Sequence, residues 1–240
     1  MTVLRSLLFQ IAFYLTTTLL CLVYLPLLFL PRRWIIAGVK LWARIILFLL
    51  RALVGLDWRL EGQENLPSGP FLVAAKHQSA WETIAFNIIF HDPSIVLKQE
   101  LIRIPLWGRY ARLAEHIAVD RRGGATALRS MTAAAKSAFA KGRPVIIFPQ
   151  GTRVPVGAAG ASLPYQPGVA ALYAALNVPV LPIALNSGLF WRRSPWGKKP
   201  GCITVKFLPA LPPQQDKRRI LHDLERIIET ATAELEAHPD

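Results

Sequence analysis

Only two cysteines occur in the 240 residues, Cys21 in an apolar run and Cys202 in a short β-like stretch far downstream. Their number and separation exclude a disulfide framework and a metal-spaced cysteine cluster, and they suit a reducing compartment. Acidic residues are also few, 15 against 28 lysines and arginines, for a formal charge of +13. Such an imbalance points to an anionic partner: nucleic acid, anionic lipid or a phosphorylated substrate. No nucleic-acid recognition motif accompanies the charge, and basic residues flank long apolar segments, which favours a membrane surface. No internal repeat is present. The one long irregular stretch, Val154 to Pro167, is rich in Gly, Ala and Pro and reads as a loop near the site.

Charge is missing altogether from Leu7 to Leu30, a run of 24 residues long enough to cross a bilayer. It ends at Pro31-Arg32-Arg33 rather than at a small-residue cleavage site, which argues against a signal peptide. Arg32 and Arg33 favour a cytoplasmic end for the segment. The next segment, Trp34 to Val54, carries Lys40, Arg44 and Arg51. At about 100° per residue these three fall within about 40° of one another, a basic stripe suited to a helix lying in the interface. Trp34 and Trp42 suit the same level. The competing reading is a buried core hairpin. Residues 1–54 are expected to form a membrane-anchoring helical pair, with the first segment either spanning or re-entering.

Past Gly55 short apolar runs alternate with helical patterns. The strands predicted are Trp58–Leu60, Phe71–Ala75, Ile95–Leu97, Ile117–Val119, Val145–Phe148, Val180–Ala184 and Ile203–Phe207; the helices include Ala125–Ala140, Gly168–Ala175 and Arg218–Glu236. That alternation predicts an α/β domain over 55–240, a mixed sheet of about seven strands flanked by helices on both faces.

The chemistry centres on Lys76-His77-Gln78-Ser79-Ala80-Trp81-Glu82, between a strand and a helix. On one continuous helix, residues five apart point about 140° away from each other. His77 and Glu82 therefore meet only if His77 lies in the turn and Glu82 on the first helical turn. Placed so, the carboxylate holds one ring nitrogen and leaves the other as a general base. The bland alternative is that Ser79 to Glu82 is a capping box serving backbone N–H groups.

Three more stretches carry cations after strands. They are Lys98-Gln99-Glu100-Leu101, Asp120-Arg121-Arg122, and Phe148-Pro149-Gln150-Gly151-Thr152-Arg153. A Pro/Gly turn exposes backbone N–H groups, and Arg suits bidentate recognition of phosphate or carboxylate. Singly such cations are more often solvated surface charges, yet these follow successive strands, where open α/β sheets bind ligands. Downstream, Gly188 to Arg193 and Trp196 to Lys199 interleave large apolar groups with cations. That loop reads either as docked beside the N-terminal helices at the headgroup level or as a solvated loop with packed tryptophans.

In order, His77 to Glu82, Lys98 to Leu101 with Asp120-Arg121, Phe148 to Arg153, and Val178 to Ile183 resemble the four motif blocks of the lysophospholipid/glycerophosphate acyltransferases, most of all the bacterial 1-acylglycerol-3-phosphate enzymes. The resemblance covers roughly Leu60 to Ser187. It implies a glycerolipid acyltransferase-like fold that moves an acyl group from acyl-CoA or acyl-carrier protein to a lysophospholipid, with lysophosphatidic acid the expected acceptor and phosphatidic acid the product. It implies His77 as base, Glu82 as its partner, and Lys98, Arg121, Gly151, Thr152 and Arg153 on the acceptor side. Backbone N–H groups near Gly151 are candidate oxyanion donors, and Val178 to Ile183 is expected to support an acyl channel. No metal or bound cofactor is implied. Membrane lipids are expected partners, nucleic acid is not, and the expected location is the inner membrane with the site on its cytoplasmic side. The chain departs from the family twice: Glu82 stands where Asp is usual, and neutral Gln150 where Glu is usual. An acyltransferase for another lyso-lipid, such as lyso-ornithine lipid, and a non-catalytic lipid-binding protein are the alternatives.

Overall fold

The computed structural model describes residues 2–120, 122–157, 164–192, 194, 196–214 and 216–239, so Arg121 lies outside the described residues. The uncharged N-terminal run forms α1 (Thr2–Val23), followed by a 3-10 turn at Leu25–Phe29 and by α2 (Arg32–Val54). Gly55 ends α2 in the left-handed region at φ 76°, where a side chain would be strained, and donates its N–H to Arg51 O. The chain continues through β1 (Leu56–Glu61), β2 (Leu72–Ala75), α3 (Trp81–Ile89), β3 (Ser94–Lys98), α4 (Trp107–Leu113) and β4 (Ile117–Val119). It then runs through α5 (Gly124–Ala140), β5 (Val145–Ile147), α6 (Pro167–Leu176), β6 (Val180–Leu185), α7 (Ser187–Phe190), β7 (Gly201–Phe207) and α8 (Lys217–Ala237). Each of the seven predicted strands is present, with ends displaced by at most two residues.

The strands form one sheet in the order β1-β7-β6-β2-β5-β3-β4. From β6 to β4 neighbours are parallel, β7 runs antiparallel to β6, and β1 is parallel to β7. Side chains of the central strands alternate between two cores, as the pleat requires. Val73 and Ala75 of β2 face the core built with α2 and α3, while Leu72 and Ala74 face the core built with α5, α6 and α8. All four β2 residues are buried, which explains why that run carries no alternation in its hydrophobicity.

The two N-terminal helices differ. On α2, Ala43, Ile46, Leu47, Leu50 and Val54 recur at helical spacing and enter the same core as β2 and α3. The basic stripe flanks this face, with Lys40 half-buried and Arg44 and Arg51 exposed, and the exposed Leu41 and Phe48 lie opposite the core. Helix α1 instead leaves Leu4, Leu8, Ile11, Leu15, Leu19 and Leu22 exposed along one face. Both ends of α1 touch the α/β part of the chain. Near its start, Ser6 Oγ donates to Lys198 O at 3.1 Å and Phe9 meets the Trp191 ring edge-on at 5.3 Å. At its end, Tyr110 Oη donates to Cys21 O at 2.8 Å. Arg32 anchors the start of α2 by a two-pronged pair with Asp92, 2.7 Å for each prong.

The interleaved loop after α7 sits beside α1. Its Trp191 packs inward on Phe9, and buried Lys198 reaches Gln10 Oε1 at 2.9 Å, so these two face the protein. Arg192, Trp196 and Lys199 face outward; Arg193 lies outside the described residues.

Candidate active site

Because β6, β2, β5, β3 and β4 are parallel, their C-terminal ends share one edge of the sheet. The turn holding His77 follows β2, Lys98 ends β3, and Phe148 to Arg153 follows β5. Three of the sequence blocks thus meet at one edge, where open α/β sheets place ligands.

His77 sits in the turn and Glu82 on the first turn of α3, the one arrangement in which the two can meet. Their Nδ1 and Oε1 atoms are 2.8 Å apart. Oε1 also accepts the backbone N–H groups of Gln78 and Ser79, each at 2.7 Å. Oε2 accepts the hydroxyls of Ser79 at 2.7 Å and Ser187 at 2.9 Å. One carboxylate thus takes both backbone N–H groups of the turn and the ring nitrogen of His77, while the N-cap of α3 is Ala80, which carries no side-chain cap. Burial of Glu82 opposes its ionisation. The hydrogen bond and charge of His77, with the Ser79 hydrogen bonds, outweigh this and hold its carboxyl below the usual value. An ionised carboxylate only accepts, so Nδ1 of His77 carries the proton and Nε2 is the basic nitrogen. The imidazole lies on the Phe148 ring, 4.2 Å between centroids and 24° between planes, which fixes its tilt.

A second histidine borders the same space, but its chemistry differs. His116 Nδ1 accepts the N–H of Ile95 at 3.2 Å, and burial pushes its pKa down to about 4. With Nδ1 occupied as an acceptor, the proton of the neutral ring sits on Nε2. His116 has no free basic nitrogen, whereas Nε2 of His77 is unprotonated and borders the same space.

Of the residues expected on the acceptor side, Lys98, Gly151, Thr152 and Arg153 border one large cavity of about 1480 Å³, together with His77 and Gln150. Such a volume exceeds the about 300–1,000 Å³ of ordinary small-molecule sites and suits a long lipid chain beside a polar group. Its apolar walls include Phe13 and Tyr14 of α1, Trp42 of α2 and Met131 of α5. Lys98 and Arg153 are exposed. Arg153 precedes Val154, whose N–H donates to His77 O at 2.8 Å, so the cation is tied next to the base by the backbone.

Gly151 lies at φ 67°, in the left-handed region, and spends its own N–H on Phe148 O at 2.8 Å. The N–H groups of Thr152 and Arg153 have no acceptor among the described residues. Gln150 is buried, and its Nε2 has no partner among the described residues. The stretch Val178 to Ile183, expected to support the channel, is not on the cavity wall. It enters the sheet as β6, every residue of which is buried between the two cores.

Sequence reasoning missed two groups. Ser187 comes from the end of β6; a short polar triplet, Asn186-Ser187-Gly188, directly after a buried strand was its one signal. The acids of α8 gave no signal beyond a polar helix face. Glu229 pairs with buried Lys76 at 2.6 and 2.8 Å, and Glu236 accepts Gln78 Nε2 at 2.5 Å. These bonds brace the residues on either side of His77 against α8.

Comparisons with known proteins agree with this arrangement. The family model described as Acyltransferase matches residues 57–186. The 1-acyl-sn-glycerol-3-phosphate acyltransferase of Pseudomonas aeruginosa is 36% identical over 196 residues, covering 82% of this chain and 75% of that protein. The protein of the same name from Limnanthes alba is 32% identical over 176 residues, covering 72% of this chain and 60% of its own. The crystal structure of the 1-acyl-sn-glycerophosphate (LPA) acyltransferase from Thermotoga maritima covers all of both chains with a TM-score of 0.81 and 24% identity, a shared fold. With the family model spanning the site and more than half the chain, and with a relative at this identity, the chain belongs to the acyltransferase family.

Proposed function

We propose that this acyltransferase moves a fatty acyl group from acyl-CoA or acyl-carrier protein to the sn-2 hydroxyl of lysophosphatidic acid, giving phosphatidic acid for phospholipid synthesis. One observation carries the reading: the His77–Glu82 pair and the cations Lys98 and Arg153 border the same largely apolar cavity. The names of the matched relatives support the same acceptor.

His77 Nε2 takes the proton of the acceptor hydroxyl as its oxygen attacks the thioester carbonyl. Glu82 fixes the tautomer and stabilises the imidazolium that forms. The oxyanion develops near the Thr152 and Arg153 N–H groups. Collapse breaks the C–S bond, and the proton on His77 passes to the departing thiolate. A phosphate monoester carries up to two negative charges; Lys98 offers a point charge to it and Arg153 a planar fork. A zwitterionic headgroup would bring an ammonium against two cations and find no carboxylate at Gln150. When lysophosphatidic acid and lyso-ornithine lipid compete in one mixed micelle, lysophosphatidic acid is expected to be acylated at least ~10-fold faster per molecule. Equal or reversed rates would contradict the acceptor assignment.

We read residues 1–54 as the membrane-binding part and 55–240 as the catalytic part, on the cytoplasmic face of the inner membrane. At about 1.5 Å per residue, the contacts at Ser6 and Cys21 lie about 22 Å apart on α1. A helix held at both points against one domain lies along that domain and turns its exposed leucine stripe to the lipid. Exposed Phe29, Trp34, Leu41 and Phe48 extend the apolar surface, and Arg44 and Arg51 supply cations for anionic headgroups. In oriented membrane vesicles, single cysteines introduced by Thr2→Cys and Glu64→Cys, with Cys21 and Cys202 replaced by serine, are expected to react with an impermeant thiol reagent from the cytoplasmic face only. Labelling of Thr2→Cys from the opposite face would mean that α1 crosses.

A further inference from the structure

We infer that Ser187 is a positioning residue for the transfer reaction, acting through Glu82 to hold the His77 imidazole in register; the inference rests on the reading of His77 as base and Glu82 as its partner. Glu82 is fully buried and accepts from five donors. Four of them, His77 Nδ1, Gln78 N, Ser79 N and Ser79 Oγ, belong to the turn that carries His77 and move with it. Among the described residues, the fifth, Ser187 Oγ at 2.9 Å, is the donor that comes from another part of the sheet, 105 positions away in sequence.

The hydroxyl of Ser187 is held by its neighbours. Asn186 Oδ1 accepts the N–H of Thr204 on β7 at 2.9 Å, and its Nδ2 reaches Leu235 O on α8 at 3.3 Å. Gly188 donates its N–H to Gln78 Oε1 at 3.0 Å. A Cβ at Gly188 would lie 3.1 Å from Gln78 Cβ and 2.9 Å from Val156 Cγ2, so glycine lets the α7 backbone close directly onto the His77 turn. Ser187 is itself wholly buried.

This anchor has a specific task in this chain. Glutamate has one more side-chain torsion than aspartate, so its carboxylate can rotate and advance more freely. Two hydroxyls on Oε2 fix the carboxylate plane, which leaves a lone pair of Oε1 aimed at Nδ1. Losing Ser187 leaves Oε2 with Ser79 alone and detaches the base–carboxylate unit from β6.

The test compares Ser187→Ala, Glu82→Gln and the double variant in full-length protein, with lysophosphatidic acid and acyl-CoA as substrates. Ser187→Ala is expected to lower kcat about 5- to 30-fold, less than outright loss of a charge-assisted bond in contact with substrate. Both KM values should stay within about two-fold. In the Glu82→Gln background, Ser187→Ala should cost less than about two-fold more, because its effect passes through the missing carboxylate. Ser187→Cys, near in volume and a weaker donor, should fall between serine and alanine. A thermal melt of each variant separates folding from turnover. Unchanged kcat in Ser187→Ala, or its full loss repeated in the Glu82→Gln background, overturns the role of Ser187 and leaves the His77–Glu82 reading standing. Full activity in Glu82→Gln itself removes both.

Discussion

His77→Ala is expected to lower kcat about 10²–10⁴-fold, the usual worth of a positioned general base. Folding should survive, because the ring is held in a turn by one carboxylate contact and one stacking contact rather than deep in either core. KM for both substrates should change little, since the base acts on a proton that moves only in the transition state. Glu82→Asp, which shortens the side chain by one methylene, should keep appreciable turnover. Glu82→Gln should cost less than His77→Ala while also lowering thermal stability, since its amide nitrogen must face donors that now serve a carboxylate. Near-normal kcat in folded His77→Ala would contradict the mechanism, and a Glu82→Gln variant that loses stability alone would leave holding the turn as its whole role.

Removing the cation beside the base should have the second-largest effect. Arg153→Ala is expected to lower kcat/KM for lysophosphatidic acid about 10- to 150-fold, the equivalent of a charge-assisted hydrogen bond of about 1.5–3 kcal/mol. The loss should appear mainly in the acceptor KM if the contact is made equally in ground and transition states, with the acyl-donor KM nearly unchanged. Lys98→Ala should act in the same direction by less, because a point charge lacks the fork geometry. Steady-state kinetics with each substrate varied in turn distinguishes these outcomes. Untouched kinetics in both variants would put the phosphate site elsewhere.

Much of this was legible before the fold was known, because the signals were local. Seven short β-like runs become seven strands, and the period-3.6 pattern of Ile220, Leu224 and Ile228 becomes the inner face of α8. The meeting of His77 and Glu82 followed from an angle: five residues apart, they need a turn before the helix, and Trp81 begins it. What was not legible depends on contacts between distant segments. Helix α2 read as an interfacial helix from its basic stripe, yet its opposite face completes the core with β2 and α3, since an amphipathic helix gives the same pattern in both settings. Val178 to Ile183 reads as a channel support from its motif alone, and a motif position says nothing about which sheet face a strand turns to a cavity. Ser187, Glu229 and Glu236 reach the His77 turn across more than a hundred residues, through side chains ordinary in their own neighbourhoods.

The proposed acyl transfer can be measured directly. Purified full-length protein in mixed micelles, given 1-acyl lysophosphatidic acid and a labelled acyl thioester, either acyl-CoA or acyl-carrier protein, is the direct measurement. The proposed transfer predicts labelled phosphatidic acid whose label is released by an sn-2-specific lipase, and almost none of that product from His77→Ala at equal protein. No phosphatidic acid with either donor, or equal product from His77→Ala, would contradict it.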